Sequence, residues 1–336
     1  YIVIFFFFSS GLVGSHLLYA LAEKGEKVRA LFRSKDSLRT IEKLFSYYNQ
    51  KNSTSYTTDH IEWIKGDILD VSILAQATKN IDTVFHCAAV VSFLKADFHT
   101  CMKVNRKGTA NVVNACLSNK VGKLCYVSST AALGRSIDMT SEDTKWKSGS
   151  EVSGYSVSKH SAEKEVFRGA AEGLKVSIVN PCVILGPGDW DKSSLTILKA
   201  AKKGLSFYTT GSNAIVDARD VANVLILLSE AQESEEKYLL IGENVSFKKL
   251  FTMITGRLKT KSPKYKLNAP LAKTIAFILE NSLRLFGIKS PLTLESMQSA
   301  YKEVSYSNQK VKERFNYSFF TLEQSIDNAI KGRFHD

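Results

Sequence analysis

The chain has 336 residues, of which 44% are hydrophobic and 23% charged, and its 45 Lys and Arg against 33 Asp and Glu give a formal charge of +12. That length buries a sizeable core, and the composition excludes a disordered, collagenous or disulfide-stapled chain. The positive balance suits an anionic ligand, a nucleic acid or an acidic membrane surface, but no zinc-finger spacing or RNA-binding signature supports nucleic acid, and a generally basic surface is the plainer reading.

The cysteines, Cys87, Cys101, Cys116, Cys125 and Cys182, are odd in number, lie in apolar segments and have no metal-site spacing. A reducing, cytoplasmic setting is expected, with no disulfide framework and no metal.

The opening run from Tyr1 to Phe8 is too short to span a bilayer and has no basic leader, so it reads as a first strand. Ser9-Ser10-Gly11-Leu12-Val13-Gly14 follows, then an amphipathic stretch to about Lys24 that Gly25 terminates. A glycine-bearing turn between strand and helix is where a dinucleotide fold cradles pyrophosphate against the helix N-terminus. Ser9, Ser10, Gly11, Leu12, Val13 and Gly14 are the expected phosphate contacts.

A second strand, Lys27 to Phe32, ends at Arg33-Ser34-Lys35. An acidic residue there would accept bonds from the adenosine ribose hydroxyls and repel a 2′-phosphate. Arg33 and Lys35 offer positive charge instead, which favours NADP over NAD; surface charges opening the next helix are the alternative. Residues 36–47 are expected to be helical and 48–59 a polar loop. A third strand, Ile61 to Lys65, delivers Gly66-Asp67-Ile68, and a fourth, from Thr83, exits through His86-Cys87-Ala88-Ala89. The small Ala88 and Ala89 let the backbone lie against a cofactor, and His86 is given no proton-transfer role. Phe98 to Leu117 reads as a long helix containing Asn105.

The apolar run Leu124 to Val127 ends in Ser128-Ser129-Thr130, a buried parallel strand with serines at its carboxyl end. After a long segment, Ala131 to Ser153, expected to close over a substrate, comes Gly154-Tyr155-Ser156-Val157-Ser158-Lys159 and a helix to about Ala171. The phenol and the ammonium stand four residues apart on one helical face, where the charge can lower a tyrosine pKa that is ~10 in water. Spacing alone is weak evidence, because Tyr47 with Lys51 and Tyr306 with Lys310 repeat it. The setting is stronger: a second apolar run, Val176 to Asn180, closed by Pro181, completes a strand–helix–strand crossover, and open α/β sheets bind ligands beyond the carboxyl ends of their strands.

Ser129, Tyr155 and Lys159, with His86-Cys87-Ala88-Ala89 upstream and the turn from Asn180 through Pro181 and Val183 to Gly188 downstream, resemble the extended short-chain dehydrogenase/reductase superfamily. The nearest branch is that of dihydroflavonol-reductase-like and NAD-dependent epimerase/dehydratase-like proteins, and the likeness runs from about residue 1 to 240. It implies a Rossmann-type doubly wound parallel α/β sheet with a smaller, mostly helical C-terminal substrate-binding region. The expected division is 1–180 and 181–336, with 215–241 returning to the main sheet. It further implies a catalytic set of Ser129, Tyr155, Lys159 and Asn105, Thr130 replacing Ser129 if the register slips by one. Asp67 and Ile68 lie near the adenine, and Pro181 and Val183 lie along the nicotinamide. The family's loop has three glycines at three-residue spacing; here Gly11 and Gly14 fill the second and third places and Phe8 the first. Phe8 leaves three readings open: a variant with weakened cofactor binding, a non-catalytic relative, or an unreliable stretch of sequence.

Farther on, Ser206 to Tyr208 reads as a short strand, Ile215 to Ala222 as a strand-to-helix junction with Asp217 and Asp220 architectural, and Tyr238 to Ile241 as a return to the main sheet. Trp190 is a candidate substrate-side aromatic, or plain packing. The apolar stretch Leu271 to Phe286 is expected to bury, with dimer or peripheral membrane contact as alternatives. The expected activity is NADP-dependent reduction of a carbonyl, or oxidation of the alcohol, on a small organic substrate. An NAD-dependent nucleotide-sugar epimerase or dehydratase and a non-catalytic dinucleotide-binding protein are the alternatives; oligomeric state is left open, a homodimer being common in similar proteins.

Overall fold

The computed structural model describes residues 3–7, 11–134, 136, 138–149, 152–232, 235–285 and 293–334. Phe8, Ser9, Ser10 and Phe286 lie outside them. The first half alternates strand and helix: β1 (Val3–Phe7), α1 (Leu12–Glu23), β2 (Lys27–Phe32), α2 (Lys35–Asn52), β3 (Ile61–Lys65), α3 (Val71–Ala77) and β4 (Thr83–His86). Then α4 (Phe98–Cys101) passes through a π-helical segment, Met102–Gly108, into α5 (Thr109–Ser118), followed by β5 (Lys123–Val127), α6 (Gly154–Ala171), β6 (Lys175–Pro181) and β7 (Val183–Leu185). The second half is α7 (Thr196–Lys202), β8 (Phe207–Tyr208), β9 (Ser212–Asp217), α8 (Ala218–Glu230), β10 (Glu236–Leu240) and β11 (Glu243–Ser246). It ends with α9 (Phe247–Leu258), β12 (Tyr265–Lys266), α10 (Ala269–Leu285), α11 (Leu294–Ala300), α12 (Gln309–Phe315) and α13 (Leu322–Lys331).

Among the described residues, β10-β6-β5-β4-β1-β2-β3 form one seven-stranded sheet, every pair of it parallel. The order reverses between β1 and β4, and that switch point places the ends of β1, β4 and β5 beside one cleft. Helices cover both faces, so the central strands read as unbroken apolar runs; Leu124, Cys125 and Tyr126 are all fully buried. The segment 215–241 divides: β10 joins the main sheet, while β9 sits in a separate sheet ordered β11-β9-β7.

Several elements depart from expectation for identifiable reasons. The second helix runs to Asn52 rather than stopping at 47, because Ile41, Leu44, Phe45 and Tyr48 keep one face in the core. Tyr47 and Lys51 both donate to Asn328 Oδ1, at 3.0 and 2.7 Å, so this spaced pair fastens α13 to α2. Asp217 caps α8 and pairs with Arg219 as expected. Asp220 instead accepts from Tyr317 Oη at 2.8 Å and from Phe320 N, holding the C-terminal segment. Trp190 is buried and donates to the Ala329 carbonyl at 3.3 Å, which is packing and not a substrate contact. Helix α10 is the largest departure: Ala272 and Ala276 face inward, while Leu271, Ile275, Phe277 and Ile278 face out. No helix among the described residues is long and apolar enough to cross a membrane.

His16 locks α1 against the turn after β7. Its Nδ1 lies 2.7 Å from the Leu12 carbonyl, an atom that only accepts, so Nδ1 carries the proton and Nε2 is bare. Nε2 is buried without a hydrogen-bond partner, and Gly186 comes so close that a Cβ there would stand 3.1 Å from it. Burial therefore pushes the His16 pKa down to about 4. The unfolded chain binds this proton first, so stability is complete above pH ~6.5 and is lost as pH falls towards 4. The advantage of wild type over His16→Gln, from urea unfolding, should shrink by about 3 kcal/mol between pH 7 and 4. A constant difference would show that His16 is not buried neutral.

Candidate active site

Helix α6 begins where Ser153 Oγ accepts from Ser156 N at 2.9 Å, a cap that sets Tyr155 in the first turn. Tyr155 and Lys159 are both buried, 8% and 1% exposed. Ser129, just past the end of β5, accepts from Ala131 N at 3.1 Å, and its side chain acts on the Tyr155 phenol, lowering its pKa. The Tyr155 ring meets Phe93 edge-on, with centroids 5.7 Å apart. Burial pushes the phenol up to about 12, against the lowering from Ser129, so it holds its proton at neutral pH.

Lys159 points at the carboxyl end of β5, an interior strand of the sheet. Its Nζ donates to Tyr126 Oη at 2.6 Å and to the Val127 carbonyl at 2.9 Å, and lies 4.4 Å from the Tyr126 ring centroid. Desolvation pulls its pKa down to about 7, with Glu163 and then Cys87 opposing. Glu163, one turn further along α6, is buried and accepts from Asn180 Nδ2 at 2.6 Å; the same amide donates to the Ser129 carbonyl at 2.9 Å. A buried carboxylate thus faces the ammonium and, through Asn180, steadies the backbone of Ser129. Neither Tyr126 nor Glu163 was singled out from the sequence. Glu163 was visible as the residue four after Lys159; Tyr126 read only as part of an apolar strand.

Asn105 lies in the π-helical segment, fully buried. Its Oδ1 accepts from Val90 N at 2.7 Å, and its Nδ2 donates to the Val90 carbonyl and to Ser158 Oγ, at 3.0 and 2.9 Å. The amide is therefore spent on tying the exit of β4 to α6. His86, at the end of β4, is buried with Nε2 2.9 Å from Thr109 Oγ1. Thr130 opens the short 3-10 turn after Ser129.

On the cofactor side, Gly11 is the N-cap of α1 and no side chain caps the first turn formed by Leu12, Val13 and Gly14. Uncapped amides at a helix N-terminus, after the first strand of a doubly wound sheet, fit a pyrophosphate. Arg33 and Lys35 are exposed where β2 ends. Asp67 accepts from Leu69 N at 2.9 Å, a turn bond that leaves its second oxygen, and Ile68 is buried behind it. Ala88 is buried and Ala89 exposed past β4, Pro181 ends β6, and Val183 starts β7. These residues border the same end of the sheet as Tyr155.

The segment after β5, expected to be a lid, is strapped down at several places. Thr140 pairs with residues 305–307 through the Ser305 carbonyl and Ser307 N, both at 2.9 Å. Glu142 accepts from Leu239 N at 2.8 Å, and Trp146 stacks on His160 at 4.1 Å. A Cβ on Gly134 would fall 1.8 Å from the Lys145 carbonyl, so the backbone folds tightly onto itself there.

Comparison with known proteins agrees with this architecture. The model of the NAD dependent epimerase/dehydratase family matches residues 9–242. A relative from Synechocystis sp., named for dihydroflavonol 4-reductase activity, is 26% identical over 331 residues, covering 96% of this chain and 91% of that protein. The crystal structure of gox2253 superposes with a TM-score of 0.78 at 30% identity over 98% of this chain and 97% of that one. MoeE5, solved with UDP-glucose and NAD, shares the fold at a TM-score of 0.74 and 19% identity, over 99% and 98% of the two chains. The chain therefore belongs to the NAD dependent epimerase/dehydratase family and is an NAD(P)-dependent enzyme of the extended short-chain dehydrogenase/reductase type.

Proposed function

We propose that the chain is an NADP-dependent carbonyl reductase, reversible as an alcohol dehydrogenase, whose reacting groups are Tyr155, Lys159 and Ser129. The observation that carries this reading is a buried, protonated Tyr155 on which the Ser129 side chain acts and which the half-exposed ring of Phe93 borders. When bound, the nicotinamide supplies the hydride that reduces the carbonyl carbon. Ser129 holds the substrate oxygen by a hydrogen bond, and Tyr155 Oη gives that oxygen its proton. Lys159 stabilises the phenolate that remains, with Glu163 favouring the charged ammonium against desolvation. Asn105 keeps the Val90 loop against α6. Gly11 to Gly14 would hold the pyrophosphate, together with Ser9 and Ser10 preceding them. Arg33 and Lys35 would meet the 2′-phosphate, Asp67 and Ile68 the adenine, and Ala88, Ala89, Pro181 and Val183 the remaining ribose and ring surfaces. Residues 181–336 supply the substrate side.

Phe93 and Phe98 are exposed beside Tyr155 and the start of α6, which supports a carbonyl borne on an apolar or aromatic body. The second reading, an NAD-dependent nucleotide-sugar epimerase or dehydratase, has the shared fold of MoeE5 in its favour. Fluorescence titration with NADPH and NADH separates them. NADPH should bind about tenfold or more tightly through charge-assisted bonds to the 2′-phosphate. A preference for NADH would favour the epimerase, and failure to bind either would return Phe8 to the centre and favour a non-catalytic protein.

A further inference from the structure

The outward side of α10 is apolar. Leu271, Ile275 and Ile278 follow one another at four- and three-residue steps, Phe277 lies beside them, and each is roughly half exposed, between 47% and 58%. The inward side offers Ala272 and Ala276, whose small side chains let the helix lie close to the body and leave its bulky residues in water. A surface helix ordinarily shows the reverse pattern. Two exposed aromatic rings, Phe207 on β8 and Tyr265 on β12, stand 6.0 Å apart on the little sheet that leads into it.

The approach to this helix is strongly basic. From Arg257 to Lys273 there are Arg257, Lys259, Lys261, Lys264, Lys266 and Lys273 and not one acidic residue. Lys259, Lys261, Lys264 and Lys266 are exposed. Arg257 has a partner in Asp327, at 2.7 Å, so the lysines carry the surplus. Apolar side chains and uncompensated lysines in one short stretch of surface are the two signals that together give lasting contact with a lipid surface, where either alone is weak.

We propose that α10 and the lysine-rich segment before it are a membrane-docking surface, which lies in the interface of a bilayer containing anionic lipids. The helix seats Leu271, Ile275, Phe277 and Ile278 among the upper acyl chains, and Lys259, Lys261, Lys264 and Lys266 meet the headgroups. A second copy of the chain fits this surface less well, because at a formal charge of +12 it offers these lysines no net negative partner, whereas an anionic headgroup layer does. The surface also has a connection to the site. Glu280 of α10 accepts from Leu294 N at the start of α11, at 2.9 Å, and Ser153, the cap of α6, lies close enough to Glu295 of α11 to favour its charged form against burial. Docking does not depend on the chemistry at Tyr155.

Sedimentation of the full chain with two vesicle preparations tests the proposal, one of phosphatidylcholine and one of equal parts phosphatidylcholine and phosphatidylserine. The chain should pellet with the anionic vesicles and release in high salt. Ile275→Glu with Ile278→Glu should lower the bound-to-free ratio about tenfold or more, and Lys264→Glu with Lys266→Glu by a similar factor. These positions are exposed, so unchanged melting temperatures should accompany the losses. Absence of binding to either preparation, or binding indifferent to both double variants, overturns the proposal. So does light scattering that finds a dimer which Ile275→Glu with Ile278→Glu dissociates, since a second copy then covers the helix.

Discussion

Tyr155→Phe should purify folded, bind the dinucleotide as tightly as wild type, and turn over about 10² to 10⁴ times more slowly. The ring stays, and with it the edge-on contact to Phe93; only the hydroxyl on which Ser129 acts is lost. At neutral pH that hydroxyl is protonated because its site is dry, so the variant lacks the one acid beside the substrate oxygen. Ser129 can still hold the oxygen, which places the loss in kcat rather than in KM. Steady-state kinetics with a carbonyl substrate, paired with a dinucleotide titration, check this. Activity within about tenfold of wild type would move the proton source to another group.

Lys159→Met should be as inactive, and should lose the pH dependence of stability that the buried ammonium confers. The ammonium is buried, and desolvation lowers its pKa from 10.5 to about 7. With the folded value below the unfolded one, the unfolded chain binds more protons between those two pH values, so wild-type stability rises with pH across that window. A methionine of similar length removes the desolvation cost and the slope together, at the expense of the bonds to Tyr126 Oη and the Val127 carbonyl. Turnover should fall about 10³-fold or more, since a phenolate without a neighbouring charge is a poor partner in proton transfer. Melting temperatures of both proteins between pH 7 and 10 read out the second half of the prediction. If the slope is the same in both, Lys159 is not the residue that titrates.

Much of this was legible because it depends on local pattern. Parallel strands buried on both faces announce themselves as apolar runs, and the sequence Leu124 to Ser129, then Tyr155 to Lys159, then Val176 to Pro181 carries one crossover unit in order. What stayed hidden depends on which way a side chain faces. Tyr126 looked like one more strand residue until α6 set Lys159 against its hydroxyl. Trp190 left a ligand contact and plain packing both open until α13 brought the Ala329 carbonyl to it. The apolar stripe of α10 was plain, but periodicity gives the existence of a face and not its direction. Helix α2 outran its expected end because its last turns rest on Asn328, far along the chain.

The ties made by the end of the chain also set an order of events during synthesis. Thr140 waits for residues 305–307, Asp220 for Tyr317 and Phe320, and Tyr47 with Lys51 for Asn328. A ribosome adds roughly 5–20 residues each second, so α2 emerges roughly 10–50 s before the residue that fastens it. Within that interval, from the completion of β6 at residue 181 until residue 240 is made, the nascent sheet has no β10 on its outer edge, and β6 is open to pairing with another chain. Premature termination near residue 300 would leave a chain holding Ser129, Tyr155 and Lys159 without the straps around them, a species prone to aggregate rather than a slow enzyme.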